Sequence, residues 1–238
     1  MKLIITMAGE YTRFLNFSSA IPKYLLPTKD GLVLDAVLKP YAESNIFNEV
    51  ILVCNEKDKK FHNIVEERLI SFSKSKINLI YIKNSISQVD TAIQAVNTEK
   101  DNSHNRPFLI ANIDTILLSR NFLQIKKDLE SADGLIDTFT AYDKAYSYIM
   151  LNEKKNVINI KEKIQISDIA ASGLYGFNSS NQFLNLTDKI SNKVKNFSEL
   201  YQYMIENNKI IKTFHNSYSK NTIVVGTPSQ YLDFLSSN

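Results

Sequence analysis

Through the first half of the chain, short apolar runs alternate with stretches whose apolar residues recur every three or four positions. Residues 2–6 hold Leu3, Ile4 and Ile5 in a row and predict a buried strand. In residues 32–44, Leu34, Val37, Leu38 and Tyr41 fall at helical spacing. Residues 49–54 predict a second strand. Residues 57–71 predict a second helix with Phe61, Ile64, Val65 and Leu69 on one face. Residues 78–82 predict a third strand, 91–96 a short helix and 107–112 a fourth strand. Strands and helices alternating at this spacing imply βαβ units, hence an α/β fold with a mostly parallel, Rossmann-like sheet covered by helices on both faces.

The second half reads differently. Residues 137–142, 145–151, 156–160 and 173–177 predict shorter strands, some alternating in polarity, which suggest a small added β layer. A helix is expected over 197–206 with Ser198 as its N-cap, and a last helix after Pro228. Stretches 99–105 and 188–196 are rich in Lys and Asn and read as solvated loops. With no internal repeat, 238 residues fit a single domain, residues 1–120 forming one half and 121–238 the other.

Composition narrows the function. The hydrophobic share is 44%, enough for a core. The single cysteine, Cys54, excludes an intrachain disulfide and reads as a buried spectator in a reducing compartment. The histidines, His62, His104 and His215, are scattered, which argues against a structural zinc site. A net charge of +3 is too small for a nucleic-acid binder and suits phosphate-bearing small substrates. No apolar stretch approaches the ~18 residues of a membrane helix, and no signal-peptide pattern follows Met1, so a cytoplasmic protein is expected.

The chemistry begins where the first strand ends. Met7, Ala8, Gly9, Glu10, Tyr11, Thr12 and Arg13 form a turn followed by an arginine, and Lys23 lies between Pro22 and Pro27. Turn N–H groups can cradle phosphate, Arg13 offers a planar fork and Lys23 a mobile charge. Asp114 follows the fourth strand, where open α/β sheets bind ligands. A carboxylate there suits Mg²⁺, or else it caps the next turn. Ser87, Gln88 and Thr91 precede that strand. Gln88 offers a donor and an acceptor for a base edge, and the alternative is a plain helix start with Ser87 or Asp90 as cap. Glu162 and Lys163 are followed at short range by Ser167, Ala170, Gly173, Tyr175 and Phe177. A lone Glu-Lys pair is usually a solvated strand end. Gly226, Thr227 and Pro228 form a turn that opens a helix.

Taken in order, these elements resemble the signature of the nucleoside-diphosphate-sugar pyrophosphorylases, or sugar-phosphate nucleotidylyltransferases. The resemblance runs from the first strand to the last helix. It implies a GT-A-type fold and transfer of a nucleotidyl group from an NTP to a sugar 1-phosphate, with release of pyrophosphate. It implies catalytic roles for Arg13 and Lys23 and Mg²⁺ on Asp114. Nucleotide contacts would come from Met7, Ala8, Gly9, Glu10, Tyr11, Thr12, Ser87, Gln88, Thr91 and Asn112, and acceptor contacts from Glu162, Lys163 and Gly173. It implies products used for bacterial capsule or lipopolysaccharide and allows a homo-oligomer.

The chain departs from that pattern at several positions. Tyr11 stands where the family has a second glycine, Ser87 replaces a glycine, Ile164 replaces the proline after Lys163, and Val224 replaces an aspartate that is the family's second metal ligand. An apolar side chain cannot bind Mg²⁺, so Asn221 or Asp143 would have to compensate, or phosphates and Asp114 suffice. Tyr11 is expected to block the positive φ of a glycine or to project into the cleft. Two other readings follow. One is a cytidylyltransferase acting on a phosphorylated amine, with Tyr142, Tyr146 and Tyr148 as a cationic cage or as plain strand packing. The other is a nucleotide-binding homologue with impaired catalysis.

Overall fold

A computed structural model describes residues 1–14, 16–17, 21–72, 74–98, 106–190 and 194–237. The first half runs β1 (Lys2–Met7), β2 (Pro27–Thr28), β3 (Gly31–Leu32), α1 (Val33–Ser44), β4 (Glu49–Asn55), α2 (His62–Arg68), β5 (Lys76–Ile82), α3 (Gln88–Asn97), β6 (Phe108–Asn112) and β7 (Thr115–Leu117). The second half adds α4 (Phe122–Glu130), β8 (Gly134–Thr140), β9 (Ser147–Leu151), β10 (Val157–Glu162), β11 (Ile169–Phe177), α5 (Ser180–Ile190), α6 (Phe197–Glu206), β12 (Ile211–Asn216), β13 (Thr222–Val224) and α7 (Pro228–Ser236).

The apolar runs form the centre of the molecule because they are buried on both faces. Strands β6, β1, β4 and β5 lie side by side and parallel. Every residue of β1 is buried, and β4 is buried from Val50 to Asn55. Two large apolar clusters cover the faces of the sheet. One holds Leu3, Ile5, Leu34, Val37, Leu38, Leu109 and Ile125, and the other Ile4, Ile51, Val53, Ala92, Ile110, Phe183 and Leu200. Leu3 and Ile5 face one cluster and Ile4 the other, as a period of two requires.

The second half extends this sheet rather than lying over it. Strand β11 pairs antiparallel with β6, and β8, β9, β10 and β12 continue outward, making nine strands in all. The small added pieces are the β7–β13 and β2–β3 ribbons. Strand β8 begins earlier than the pattern at 137–142 implies, at Gly134, where a Cβ would lie 2.8 Å from the Tyr201 ring. That glycine lets the aromatic ring of α6 settle on the sheet.

The helix expected over 57–71 is broken. A 3-10 turn, Glu56–Phe61, precedes α2, and another, Leu69–Phe72, follows it. Val65 and Leu69 are buried, but Ile64 is 41% exposed. The tight first turn carries Asp58 inward instead of an apolar side chain. At α6 the cap is Asn196, whose N–H donates to the Glu199 carboxylate, while the Ser198 hydroxyl points elsewhere. Residues 188–190 form the last turn of α5 rather than a loop. Residues 99–105, including His104, and 191–193 lie outside the described residues.

One buried pair fastens the β7–β13 ribbon to the sheet. Arg120 Nε donates to both Asp137 oxygens at 3.0 and 3.2 Å, and its terminal nitrogens reach the Asn221 carbonyl and Thr222 Oγ1. Ser172 Oγ donates to Asp137 Oδ2 at 2.6 Å. The guanidinium therefore links β8 and β11 to the strand that ends at Val224.

Candidate functional site

The cleft opens at the carboxyl ends of the parallel strands, where such sheets bind ligands. It has two cavities, of about 300 Å³ and 210 Å³. The first is lined by Met7, Ala8, Gly9 and Tyr11 of the turn after β1, by Lys23, and by Ser87, Gln88 and Thr91 at the start of α3. The second is lined by Arg13, Tyr146, Ser147, Glu162, Gly173 and Gln230, among others. Gln88, Asn112 and Asp114 line both, so the cavities meet at the end of β6.

The turn after β1 is held by the segment following β4. Asn55 Nδ2 donates to the Ala8 carbonyl at 3.2 Å, and Asn55 Oδ1 accepts from Lys57 N at 3.1 Å. Tyr11 does not block the left-handed conformation but adopts it, with φ of 40°. Its phenol donates to Asp58 Oδ1 at 3.0 Å, and Lys57 Nζ sits 4.4 Å from its ring centre. Burial, then the charge and hydrogen bond of Asp58, push its pKa up to about 12, so the phenol stays a donor in the physiological range. Glu10 and Thr12 are exposed and line neither cavity.

At the base of the cleft, Lys23 Nζ donates to Asp114 Oδ2 at 2.6 Å. Burial raises the Asp114 pKa, but the Lys23 charge and hydrogen bond outweigh it and hold the carboxyl below its usual value. Arg13 contributes in the same sense from the rim. Ser87 does cap α3, its Oγ accepting from Asp90 N at 3.1 Å, as the plainer reading required. Gln88 turns its amide inward, donating to Thr6 Oγ1 and Asn112 Oδ1. Gly173, with φ of 94°, lies against Asn112, where a Cβ would sit 2.6 Å from Asn112 Nδ2. Only glycine leaves Asn112 where Gln88 reaches it.

On the acceptor side, the Glu162 carboxylate is fixed by the hydroxyls of Ser147 and Ser198, the latter at 2.7 Å. Lys163, with φ of 56°, is exposed and lines neither cavity, unlike its partner Glu162. The tyrosines do not form a cage. Tyr148 is buried and donates to the Asp143 carbonyl, Tyr142 is 71% exposed, and only Tyr146 lines the cavity. The aromatic wall there is completed by Tyr175 and Phe197, stacked at 4.6 Å.

The residues present fit a divalent cation. Val224 pairs with Thr115 beside Asp114 and supplies no donor. Asn221 and Asp143 line neither cavity, so they do not replace the missing carboxylate. Gln230 and Asp114 both line the second cavity beside Gly226, where a Cβ would lie 3.2 Å from Asp114 Oδ2 and 3.5 Å from Gln230 Oε1. One carboxylate and one amide oxygen form a hard donor set, and Mg²⁺ completes such a set with waters and substrate phosphates. Among the described residues no cluster of three or more His, Cys, Asp or Glu side chains could hold a metal without substrate. The sequence marks Gln230 only as part of a helix start and not as a cavity residue. Thr227-Pro228-Ser229-Gln230 is a capping-box sequence, and Thr227 Oγ1 accepts from Gln230 N at 3.3 Å.

A mostly parallel sheet carrying a divided polar cleft at its carboxyl edge, with a carboxylate where the two cavities meet, a lysine bound to it and an arginine at the rim, is the architecture of a nucleotidyltransferase of the sugar-phosphate type. The sequence agrees: the family model for nucleotidyl transferases matches residues 2–234, and the chain belongs to that family. Solved structures share its fold. A nucleoside-diphosphate-sugar pyrophosphorylase from Vibrio cholerae RC9 superposes with a TM-score of 0.82 at 19% identity, covering 98% of this chain and 99% of that one. A UDP-glucose pyrophosphorylase bound to UDP-glucose gives 0.77 at 14% identity, covering 99% and 97%. An inositol-1-phosphate CTP transferase from T. maritima gives 0.78 at 14% identity, covering 99% and 94%. No curated protein sequence matches the chain. Among the described residues no helix is long and apolar enough to cross a membrane.

Proposed function

We propose that this nucleotidyltransferase joins an NTP to a sugar 1-phosphate, releasing pyrophosphate and making a sugar nucleotide for bacterial surface polysaccharide, capsule or lipopolysaccharide. The observation that carries the reading is the junction of the two cavities at Asp114, Asn112 and Gln88. One cavity takes the nucleotide and the other the acceptor, so the reacting phosphates meet beside Lys23 and Asp114. Residues 1–120 then serve the nucleotide and 121–238 the acceptor, within one domain.

An acceptor phosphate oxygen bonds to the α-phosphorus, the bond from that phosphorus to the β-bridging oxygen breaks, and pyrophosphate leaves. The nucleophile is already anionic, so positioning and charge neutralisation are the main demands. Arg13 and Lys23 face the phosphates with positive charge. Gly9 and Tyr11 present the turn to the triphosphate, and the base lies toward Ala8, Ser87 and Gln88. Glu162, oriented by Ser147 and Ser198, accepts hydrogen bonds from acceptor hydroxyls. Asp114 and Gln230 would hold Mg²⁺, which supplies further charge neutralisation at the α-phosphate. Both substrates are intracellular metabolites in kind, which supports a cytoplasmic location, and a homo-oligomer is compatible with the reading.

The test is pyrophosphate release with ATP, GTP, CTP, UTP and dTTP against sugar 1-phosphates, phosphorylated amines and inositol phosphate. Release confined to one NTP and one sugar 1-phosphate supports the reading. Release only with an amine or inositol phosphate replaces the acceptor class, and release with none of them overturns it.

A further inference from the structure

We propose that Asp58 is a positioning residue for nucleotide binding, a buried clasp that ties together the two segments gripping the phosphates. The proposal rests on the reading of the first cavity as the nucleotide site. Asp58 is 2% exposed and follows β4, outside the motifs that mark the cleft. Its Oδ1 accepts from the Tyr11 phenol at 3.0 Å and its Oδ2 from the Tyr24 phenol at 3.1 Å. Tyr11 belongs to the turn after β1, and Tyr24 is the neighbour of Lys23. One carboxylate therefore fixes the turn and the lysine-bearing 3-10 segment, Lys23–Leu25, relative to each other.

The geometry also explains Tyr11. A non-glycine residue at φ of 40° is strained and persists only where its surroundings over-determine it. Here the surroundings are identifiable. The phenol is bound to Asp58, Lys57 covers the ring, Phe14 N donates to the Tyr11 carbonyl at 2.8 Å, and Asn55 holds the Ala8 carbonyl. A glycine would take this backbone without help but would not hold it there. With tyrosine, the conformation depends on a tether, and the tether is a residue that the nucleotide never touches.

Removing the Tyr11 hydroxyl deletes one hydrogen bond to the Asp58 side chain and removes no other polar contact of Tyr11. In Tyr11→Phe, hydrogen exchange of the amides at residues 8–13 in the ligand-free protein is expected to speed up about tenfold, as loss of such a bond implies. The KM for NTP should rise by about the same factor while kcat changes much less. Asp58→Asn, which keeps an acceptor for one phenol and turns an N–H toward the other in place of a carboxylate oxygen, should act in the same direction. In a Tyr11→Gly background, Asp58→Asn should change exchange in the turn far less than it does in the parent.

The proposal is overturned if Tyr11→Phe leaves both turn exchange and NTP KM at wild-type values. The Tyr11→Phe result decides the matter even if Asp58→Asn fails to fold. A wild-type protein that binds no NTP contradicts the nucleotide reading itself, and exchange in the ligand-free variants then still decides whether Asp58 holds the turn.

Discussion

Lys23 Nζ lies 2.6 Å from Asp114 Oδ2, an ion pair between side chains 91 residues apart. Asp114 lines both cavities and Lys23 lines the first, so the pair stands where the two cavities meet. Because the two act as a unit, their substitutions should not multiply. Lys23→Met and Asp114→Asn are each expected to lower kcat about 100-fold, a typical cost of losing an electrostatic contact to the reacting group. The double variant should fall little further than either single one. Steady-state pyrophosphate release in the four proteins checks this.

The same pair sets a pH dependence. The Asp114 carboxyl is held below its unfolded value of ~3.9 by Lys23 against the opposing effect of burial. Its contribution to stability is therefore complete above that unfolded value and is lost as pH falls through the folded one. In Lys23→Met burial acts unopposed by that charge, so the Asp114 carboxyl should titrate at higher pH, read from its carbon shift by NMR. An unchanged titration would show that the pair does not persist in solution.

Arg120 and Asp137 are fully buried and satisfy each other. Breaking such a pair from one side leaves an unpaired buried charge, at a cost of about 3–5 kcal/mol. Arg120→Ala should lower Tm by roughly 10 °C for a chain of this size. Arg120→Met combined with Asp137→Leu should cost less than Arg120→Ala. Calorimetry on the variants decides between these outcomes.

Gly173 faces Asn112 at a φ of 94°. Gly173→Ala adds a Cβ where Asn112 Nδ2 stands, in a backbone region hostile to alanine. Asn112 must shift, and the Gln88 amide that reaches it loses its partner. The expected result is a fall in kcat/KM of about tenfold or more, with overall folding retained by circular dichroism.

Cys54 lies on β4, 1% exposed, and burial pushes its thiol up to about 12. A thiol that is both covered and protonated does not attack disulfides. Ellman's reagent at pH 8 should label the native protein at a rate set by unfolding, and label it at once in denaturant.

How much of this was legible in the sequence follows from which contacts are local. The strands β1, β4 and β6 were readable because a strand buried on both faces is a continuous apolar run, and 197–206 was readable by its helical period. Helices α4 and α5 went unread because their polar faces dilute the period, and β7 and β13 because three residues carry no pattern. Motif order placed Asp114, Lys23 and Glu162 around the cleft. It also placed Lys163 there, and the chain instead turns at that residue with positive φ and sends it to the surface. Asp58 left no local trace, since its partners are 47 and 34 residues away and a carboxylate in a polar stretch looks solvated. Tyr11 looked prohibitive because propensity describes an isolated residue, not one tethered by its own side chain.

The most direct measurement is ³¹P NMR of the wild-type protein and Asp114→Asn with Mg²⁺, one NTP and one sugar 1-phosphate chosen from the release panel. For the wild type we expect the α-phosphorus of the triphosphate to move into a diphosphate joined to the sugar, with one pyrophosphate formed per product, and we expect Asp114→Asn to be slower by about two orders of magnitude. Nucleotide that binds the wild type but remains a triphosphate with every acceptor, or a reaction that Asp114→Asn leaves at full speed, would contradict nucleotidyl transfer at this site.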